Sequence, residues 1–295
     1  MVLAAAKFAL LLRVFEHCWL TSHALLWFCT QNYKVIHVKN RRHVDLRIPG
    51  ALEAHLNGVV PSFAFFLACE VGGSKFIESK DSNVQLDIVQ NNVRIYQSLF
   101  PYLAKHRVPF LFTSSYLQSQ PTSYGAIKRL GEAWIAALGV GKVVRLWNIY
   151  GRERVSPKSH VMADWVSTCV RAGRITCETD GYEARQFLHA QDAASALVAL
   201  MRHYDAVEHQ TDISSGQWID LRSLAAIISE VSAGAAAGAA DAAAAAGSTS
   251  GGGGSVRGGG ACPAEYSSEK AGVRARLPPN QSAALYASLR WRPQV

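Results

Sequence analysis

A serine, a tyrosine and a lysine that lie near one another in the sequence have the chemistry of a proton-transfer site. Ser115 ends the run Phe112–Ser115, and Tyr124 and Lys128 follow it. Residues four apart face the same side of a helix, so Tyr124 and Lys128 are predicted to be neighbours. An ammonium beside a phenol favours the phenolate and lowers the pKa of that phenol from about 10. We therefore predict that Tyr124 is a base for a sugar-type hydroxyl, that Lys128 lowers its pKa and that Ser115 hydrogen-bonds the same oxygen.

A tyrosine four residues before a lysine is common by chance, so the spacing indicates a site only together with the elements predicted around these residues. Residues 108–115 form an apolar run that ends in small hydroxyl residues, which predicts a buried strand. Residues 122–138 predict a helix with a polar start. In α/β sheets, sites lie where strands end, so a strand, a loop and a helix in this order place all three side chains together.

Further segments extend this pattern along the chain. In chain order they are Phe66–Gly73, Asn91 or Asn92, Arg145–Gly151, Arg185–Asp192 and Leu289–Pro293. With them the chain resembles the extended short-chain dehydrogenases/reductases, the family of nucleotide-sugar epimerases and dehydratases. The resemblance makes Phe66–Gly73 a strand with a cofactor-lining loop, and it places Asn91 or Asn92 at the opening of the next helix. It implies an α/β fold, a Rossmann-type doubly wound parallel sheet with a small C-terminal substrate-binding cap.

The resemblance also implies positions for cofactor and substrate. Its catalytic residues are Ser115, Tyr124 and Lys128. Its cofactor-binding positions fall on Phe15, Cys18, Leu20, Lys39, Asp45, Leu67, Ala68, Tyr124 and Lys128. Its substrate-binding positions fall on Gly72, Ser115, Asn148 and Arg185, with Arg185 contacting substrate phosphate. In the implied reaction Tyr124 takes a proton from a sugar hydroxyl, Lys128 also holds the nicotinamide ribose, and a hydride passes to NAD or NADP. No metal site is expected.

The phosphate-binding turn departs from the family pattern. Its three glycine positions fall on Phe15, Cys18 and Thr21, and none is glycine. The first glycine permits a tight turn and the second lets the backbone approach phosphate, so Phe15 and Cys18 are serious changes. The strand Lys34–Val38 is followed by the basic run Lys39–Arg42 where NAD enzymes carry an acidic residue. This run favours NADP over NAD, and a solvated basic turn explains it equally well.

Three interpretations of function follow. The first is an NAD(P)-dependent epimerase, dehydratase or reductase acting on a nucleotide sugar. The second is a catalytically inactive Rossmann-fold pseudoenzyme that serves as a scaffold or complex subunit, which Phe15 and Cys18 favour. The third is an ordinary enzyme whose first 20 or so residues are an alternative N-terminus. Gly72–Gly73 resembles GDP-mannose 3,5-epimerases and GDP-fucose synthases, but the cysteine expected after the serine is absent, and the loop between Ser115 and Tyr124 is short.

Length and composition agree with a globular enzyme. The chain has 295 residues, of which 49% are hydrophobic, and a formal net charge of +8. We divide it into a dinucleotide-binding core (1–150), further core elements with the cap (151–232), an Ala/Gly/Ser-rich flexible insertion (233–261) and the end of the cap (262–295). Residues Leu221–Val231 predict a helix before the insertion, whose alanine-rich part can also form helix.

Charge and cysteine patterns bear on partners and compartment. The basic residues are dispersed, so no nucleic-acid partner is expected. The six cysteines form no C-x-x-C pair and several lie in apolar runs, which favours free thiols in a reducing compartment. The apolar stretch from Phe8 to Phe28 carries Arg13 and Glu16, so we interpret it as the first strand and the first helix (Leu20 to Gln31) rather than a membrane span. We expect a cytoplasmic homodimer, with an organellar leader as the alternative.

Overall fold

The chain folds around a parallel β-sheet with helices on both faces. A computed structural model describes residues 8–12, 34–38, 41–245, 261–268, 286, 289 and 291–294. Six strands of this part form the sheet: β1 (Phe8–Leu12), β2 (Lys34–Val38), β3 (Phe63–Phe66), β4 (Phe110–Ser115), β5 (Lys142–Leu146) and β10 (Gln210–Ile213). The shorter strands pair two by two outside it: β6 (Asn148–Tyr150), β7 (Ile175–Cys177), β8 (Ala184–Arg185), β9 (Phe187–His189), β11 (Ile219–Asp220) and β12 (Ala264–Tyr266). The helices are α1 (Ala51–Leu56), α2 (Ser74–Ile77), α3 (Ser82–Lys105), α4 (Ser123–Leu138), α5 (Val161–Ala172), α6 (Ala190–Arg202) and α7 (Leu221–Ala245).

The strand order of the sheet is β10-β5-β4-β3-β1-β2, and every pair is parallel. The chain moves outward from β1 to β2 and then crosses back, so that β3 pairs with the other side of β1. In register, Leu12 of β1 lies opposite both Val38 of β2 and Phe66 of β3. Ligands of doubly wound sheets bind outside the carboxyl ends of the strands, at the point where the strand order reverses. The loop after β3 therefore lies at the expected dinucleotide end of the site.

Alternation along β3 shows how the sheet is buried on both faces. Phe63 and Phe65 pack into the cluster that contains the residues of α6, whereas Ala64 and Phe66 pack into the cluster that contains those of α3 and α4. Successive side chains of a strand point to opposite faces, so a strand covered on both sides is apolar throughout. Full burial of each such side chain contributes roughly 1.5–3 kcal/mol relative to exposure. The sheet is thus a rigid base for the loops at its carboxyl edge.

A separate apolar cluster holds the elements that follow the sheet core. Trp165 of α5, Ile175 of β7 and Leu224 of α7 belong to it, and a disulfide joins Cys169 to Cys262 within it. The expectation of free thiols is wrong for these two cysteines, because folding brings together residues that are 93 positions apart. Cys69 and Cys177 are free and buried. Among the helices of the described segments, none is long and apolar enough to cross a membrane.

The segment Phe66–Gly73, expected to be a strand with a loop after it, begins at the last residue of β3 and continues as loop. Two other expectations about elements were wrong in their bounds. Asn91 and Asn92 lie inside α3 rather than at its opening. The helix predicted for Leu221–Val231 continues to Ala245, because the alanine-rich start of the insertion is itself a good helix former. The helix predicted for Leu20 to Gln31 and the glycine-rich part of the insertion lie outside the described residues, and the division into four segments stays a prediction.

Candidate active site

The end of β4 and the first turns of α4 bring Ser115, Tyr124 and Lys128 to the wall of one cavity of about 780 Å³. Thr122 caps the helix, since its hydroxyl oxygen accepts a hydrogen bond from the Gly125 amide at 3.0 Å. A hydroxyl at this position fixes where a helix starts. Tyr124 therefore lies in the first turn and Lys128 one turn later on the same side, as the spacing predicted. Both are buried, with 7% and 2% of their surface exposed.

Short contacts hold the three side chains in place. The Lys128 Nζ donates to the Thr113 carbonyl oxygen at 2.7 Å and lies 5.5 Å from the centroid of the Tyr124 ring. Ser115 lies close enough to Tyr124 to act on its phenol, and this interaction lowers the pKa of Tyr124. Ser115 Oγ also accepts a hydrogen bond from the Leu117 amide at 3.2 Å, which fixes its rotamer. The three groups thus form a connected arrangement at the edge of the sheet.

The neighbouring serine, Ser114, hydrogen-bonds a different group of side chains. Its Oγ donates to Glu132 Oε1 at 2.5 Å, and Arg145 binds both oxygens of the same carboxylate at 2.9 and 2.6 Å. The Glu132 side chain is buried and ion-paired with Arg145. This network locks the end of β4 to α4 and β5 and leaves Ser115 as the serine beside the tyrosine.

The protonation of Tyr124 differs from the expectation. Burial raises the pKa of its phenol well above its ordinary value near 10, the nearby Cys69 adds to the rise, and Ser115 opposes it. We predicted a pKa lowered by Lys128, and that prediction was wrong for the chain without ligands because desolvation penalises the charged phenolate. Tyr124 accordingly carries its proton at neutral pH.

The substrate-side predictions fall on the same cavity wall. Gly72, Asn148 and Arg185 all line it. The Oδ1 atom of Asn148 is buried and has no hydrogen-bond partner in the described part of the chain, so it offers an acceptor to a ligand. A Cβ at Gly72 would lie 2.9 Å from the Phe76 Cβ and 3.0 Å from the Lys158 Cβ, which explains why the wall needs a glycine there. Their roles in binding stay predictions.

The cofactor-side predictions divide into three groups. Leu67, Tyr124 and Lys128 line the cavity. Ala68 is buried in the core of the sheet, and Arg47 engages both oxygens of Asp45, a pairing that lowers the pKa of that carboxyl. Phe15, Cys18, Leu20 and Lys39 lie outside the described residues.

Sequence reasoning missed a histidine–carboxylate pair in the cavity. His160 precedes α5, and its Nδ1 lies 2.9 Å from Glu153 Oε1. The Glu153 carboxylate also accepts from the His160 backbone amide at 2.9 Å, so it fixes the imidazole and leaves Nε2 for proton exchange. In the sequence, His160 stands at no recognisable metal-ligand spacing from another residue. No group of three His, Cys, Asp or Glu side chains in the described segments is placed to hold a metal ion.

Two more cavity residues gave no signal in the sequence. The Cys69 thiol lies close enough to Tyr124 and Lys128 to interact with both electrostatically, and burial raises the pKa of this thiol while Lys128 opposes the rise. Glu183 is buried in the wall beside Arg185. In the sequence, neither Cys69 nor Glu183 lies at a distance from the other cavity residues that indicates a shared site.

Comparison with known proteins identifies the lineage. The sequence profile of the NAD dependent epimerase/dehydratase family matches residues 22–216. The chain belongs to this family. Membership confirms the resemblance found in the sequence and agrees with the expected enzyme lineage.

Two curated relatives come from Oryza sativa subsp. japonica. The chain is 25% identical over 224 residues to a putative GDP-L-fucose synthase 2 and 23% identical over 231 residues to a probable GDP-L-fucose synthase 1. These matches cover 66% of this chain and 64% and 68% of the two relatives.

Solved structures confirm the fold class. A GDP-6-OMe-4-keto-L-xylo-heptose reductase from C. jejuni superposes with a TM-score of 0.73 at 13% identity, covering 99% of this chain and 94% of that one. A UDP-glucose 4-epimerase from Brucella ovis in complex with NAD gives 0.70 at 17% identity, covering 98% and 94%. A GDP-L-fucose synthetase from Naegleria fowleri bound to NADP gives 0.69 at 13% identity, covering 99% and 91%. The likeness extends over nearly the whole chain, which supports a Rossmann-type architecture.

Proposed function

We propose that the protein is an NAD(P)-dependent epimerase, dehydratase or reductase acting on a nucleotide sugar, and that reduction is the reaction its site fits best. The observation that carries this proposal is the meeting of Ser115, Tyr124 and Lys128 in one cavity. Asn148 and Arg185 in the same wall offer an amide and a cation to the sugar and its phosphates. The names of the rice, Naegleria and Campylobacter relatives support a nucleotide-sugar substrate.

In this proposal Tyr124 donates its proton when a sugar carbonyl is reduced. A nicotinamide dinucleotide, when bound, supplies or accepts the hydride of such a reaction. As a hydride reaches a sugar carbonyl carbon, the π bond breaks and the oxygen takes the phenolic proton of Tyr124. The ammonium of Lys128 and the hydrogen bond from Ser115 stabilise the phenolate that remains. In the reverse direction the same phenolate removes the proton from a sugar hydroxyl.

The His160–Glu153 pair favours an additional proton transfer at the substrate. A single acid suffices for reduction of a carbonyl, whereas epimerisation beside a carbonyl needs a group that removes or returns a carbon-bound proton. The His160 imidazole lines the same cavity and is held there by Glu153. His160 is therefore our candidate for that role if the reaction includes epimerisation.

We propose NADP as the preferred cofactor, because a basic run follows β2. Arg41 of this run forms an ion pair with the buried carboxylate of Glu70, which Lys158 also contacts. That pairing neutralises Arg41, so the preference for a 2′-phosphate depends on Lys39 and Arg42. The pseudoenzyme remains the second candidate, carried by Phe15 and Cys18 in the phosphate-binding turn.

Calorimetric titration with NADPH and NADH, followed by turnover assays, tests the proposal. We expect micromolar binding, and net reduction of NADP in the presence of GDP-L-fucose, which is the proposed reduction run in reverse. The Tyr124→Phe variant should lose turnover by about 10²–10⁴-fold, because it lacks the transferable proton, while it still binds cofactor.

Tyr182→Phe is the matched control, because Tyr182 is exposed and stacks on Arg222 in a way that phenylalanine preserves. It should keep turnover. If the natural chain binds no dinucleotide but a Phe15→Gly/Cys18→Gly variant does, the pseudoenzyme or the alternative N-terminus is correct instead. Full turnover by Tyr124→Phe would refute the assignment of the proton donor.

A further inference from the structure

Tyr116 follows Ser115 directly and adds a second phenol to the cavity wall. It begins a short 3₁₀ helix, Tyr116–Ser119, at the end of β4. Both Tyr116 and Trp147 line the cavity, and their rings stack with centroids 5.0 Å apart and planes inclined by 15°. A tyrosine in a cavity wall can do more than pack, because its hydroxyl both donates and accepts hydrogen bonds. The proposed reaction leaves this phenol unused.

The aromatic side chains behind Tyr116 fix where its ring lies. The Trp147 indole nitrogen donates to Asp212 Oδ1 at 3.3 Å, and the Trp147 ring meets that of Trp218 edge to face with centroids 5.6 Å apart. Trp147 is buried, whereas Tyr116 is only partly buried. The Tyr116 ring is thus held from one side. A side chain that is ordered before a ligand arrives loses little freedom on binding.

The surroundings of Tyr116 lie at both ends of the expected substrate. Tyr124, at the reacting end, is close enough to interact with Tyr116 electrostatically. Arg185, the predicted contact of the substrate phosphate, is also close enough to act on the Tyr116 phenol, and so is Asn148. These three neighbours belong to α4, β8 and β6, and all of them line the cavity. In a nucleotide sugar the sugar ring joins the reacting carbon to the phosphates, so Tyr116 lies where the rest of that ring is expected.

The Tyr116 phenol carries its proton at neutral pH. Burial raises its pKa above the ordinary value near 10, while Arg185 and Asn148 oppose that rise. An arginine side chain has donors only, so Arg185 interacts with the phenolic oxygen rather than with its proton. The proton is therefore left for an acceptor on a ligand. The hydroxyl and keto oxygens of a sugar are acceptors of this kind.

We propose that Tyr116 is a sugar-binding residue that donates a hydrogen bond to a sugar oxygen other than the reacting one. This inference rests on the proposed nucleotide-sugar activity. Tyr116 then differs from Tyr124 in its task. Tyr124 transfers its proton during the reaction, whereas Tyr116 keeps its proton and contributes affinity for the sugar.

Calorimetric binding of a nucleotide sugar and of the matching free nucleotide tests this without any cofactor. The probes are GDP-L-fucose with GDP, and UDP-glucose with UDP. The Tyr116→Phe variant keeps the stacking on Trp147 and removes only the hydroxyl. It should weaken binding of the nucleotide sugar that the natural chain takes by about 2–10-fold, the effect of one neutral hydrogen bond, and leave the free nucleotide unchanged. In turnover assays the loss should appear in KM and not in kcat.

Tyr182→Phe is the matched control, because it removes the same hydroxyl from an exposed tyrosine that stacks on Arg222. It should bind all four probes as the natural chain does. Unchanged affinity of Tyr116→Phe for the nucleotide sugar would overturn the proposal, and so would an equal loss for the nucleotide sugar and the free nucleotide. A fall in kcat with unchanged binding would make Tyr116 a proton donor and also overturn it. If the natural chain binds neither nucleotide sugar, the proposed function itself fails and this inference fails with it.

Discussion

Two buried tyrosines show how their surroundings separate a structural residue from a chemical one. Tyr96 is fully buried among Phe66, Phe100 and Phe112, and its hydroxyl has no hydrogen-bond partner in the described part of the chain. Tyr124 has Ser115 and Lys128 beside it and lines a cavity. Burial raises the pKa of both phenols well above 10. Only Tyr124 has groups that stabilise a phenolate, so only Tyr124 can give up its proton during a reaction.

We expect Tyr96→Phe to raise the free energy of unfolding by about 1 kcal/mol at pH 7, because it removes an unsatisfied buried hydroxyl. The raised pKa in the folded state also makes stability depend on pH. Above about pH 10 the unfolded Tyr96 ionises while the folded one stays neutral, so the natural chain loses stability as the pH rises through and beyond that value. The variant should lose less. Urea unfolding at pH 7 and pH 10.5 measures both effects, and a variant less stable than the natural chain at pH 7 would contradict the first.

Local spacing explains which site residues could be predicted from the sequence. Ser115, Tyr124 and Lys128 belong to one strand, one turn and one helix, so their meeting follows from the identity of those elements. Glu183 reaches the cavity wall from a distant part of the chain. Burial also raised the pKa of Tyr124. A short sequence segment does not show how many groups will surround a side chain in the folded chain, so this rise could not be predicted.

At the scale of elements, the loop after β3 and the segment before α5 fit together through a glycine. The Gly73 amide donates to the Lys158 carbonyl oxygen at 2.9 Å. A Cβ at Gly73 would lie 2.2 Å from the Ser159 carbonyl oxygen and 3.2 Å from the His160 Cα. Backbone atoms on the other side cannot rotate away as a flexible side chain can. This close approach places His160 at the cavity.

We expect Gly73→Ala to displace the segment around His160 and to lower kcat/KM by about tenfold or more, since small errors of position reduce catalysis strongly. Steady-state kinetics and thermal unfolding measure the change. The control is Gly234→Ala in α7, where a Cβ meets nothing within 4 Å and alanine should stabilise the helix by about 0.5–1 kcal/mol. Unchanged kinetics in Gly73→Ala would show that the close approach does not position the site.

Element identity was predictable where the hydrophobic pattern was strong. The bounds of β2 were predicted correctly, and β4 and α4 lie within the predicted ranges 108–115 and 122–138. The bounds failed for the helix predicted at Leu221–Val231, which continues to Ala245. Asn92 was predicted to lie at the opening of its helix but lies inside it. From there its side chain hydrogen-bonds the backbone of Glu70.

At the scale of the whole molecule, the cavity joins side chains from the sheet edge to side chains from the smaller cluster. Tyr124 and Lys128 come from the sheet side, whereas Cys177 and Glu183 come from the elements around β7 and β8. Strand β12 pairs with β7, and the Cys169–Cys262 disulfide fastens the segment before β12 to α5.

The homodimer through α3 and α4 and the cytoplasmic location stay predictions, the first of which light scattering tests.

The disulfide should therefore contribute to stability and to the shape of the substrate side. It closes a long loop, and removal of such a bond typically costs about 2–4 kcal/mol. We expect a Cys169→Ser/Cys262→Ser variant to unfold at a lower temperature than the natural chain and to bind nucleotide more weakly, because β12 is then free to leave the edge of β7. The cofactor end should change little, since its residues belong to the sheet. A reductant should lower the unfolding temperature of the natural chain and leave the variant unchanged. If the reductant affects both proteins equally, its action lies elsewhere and the disulfide does not hold this part of the fold together.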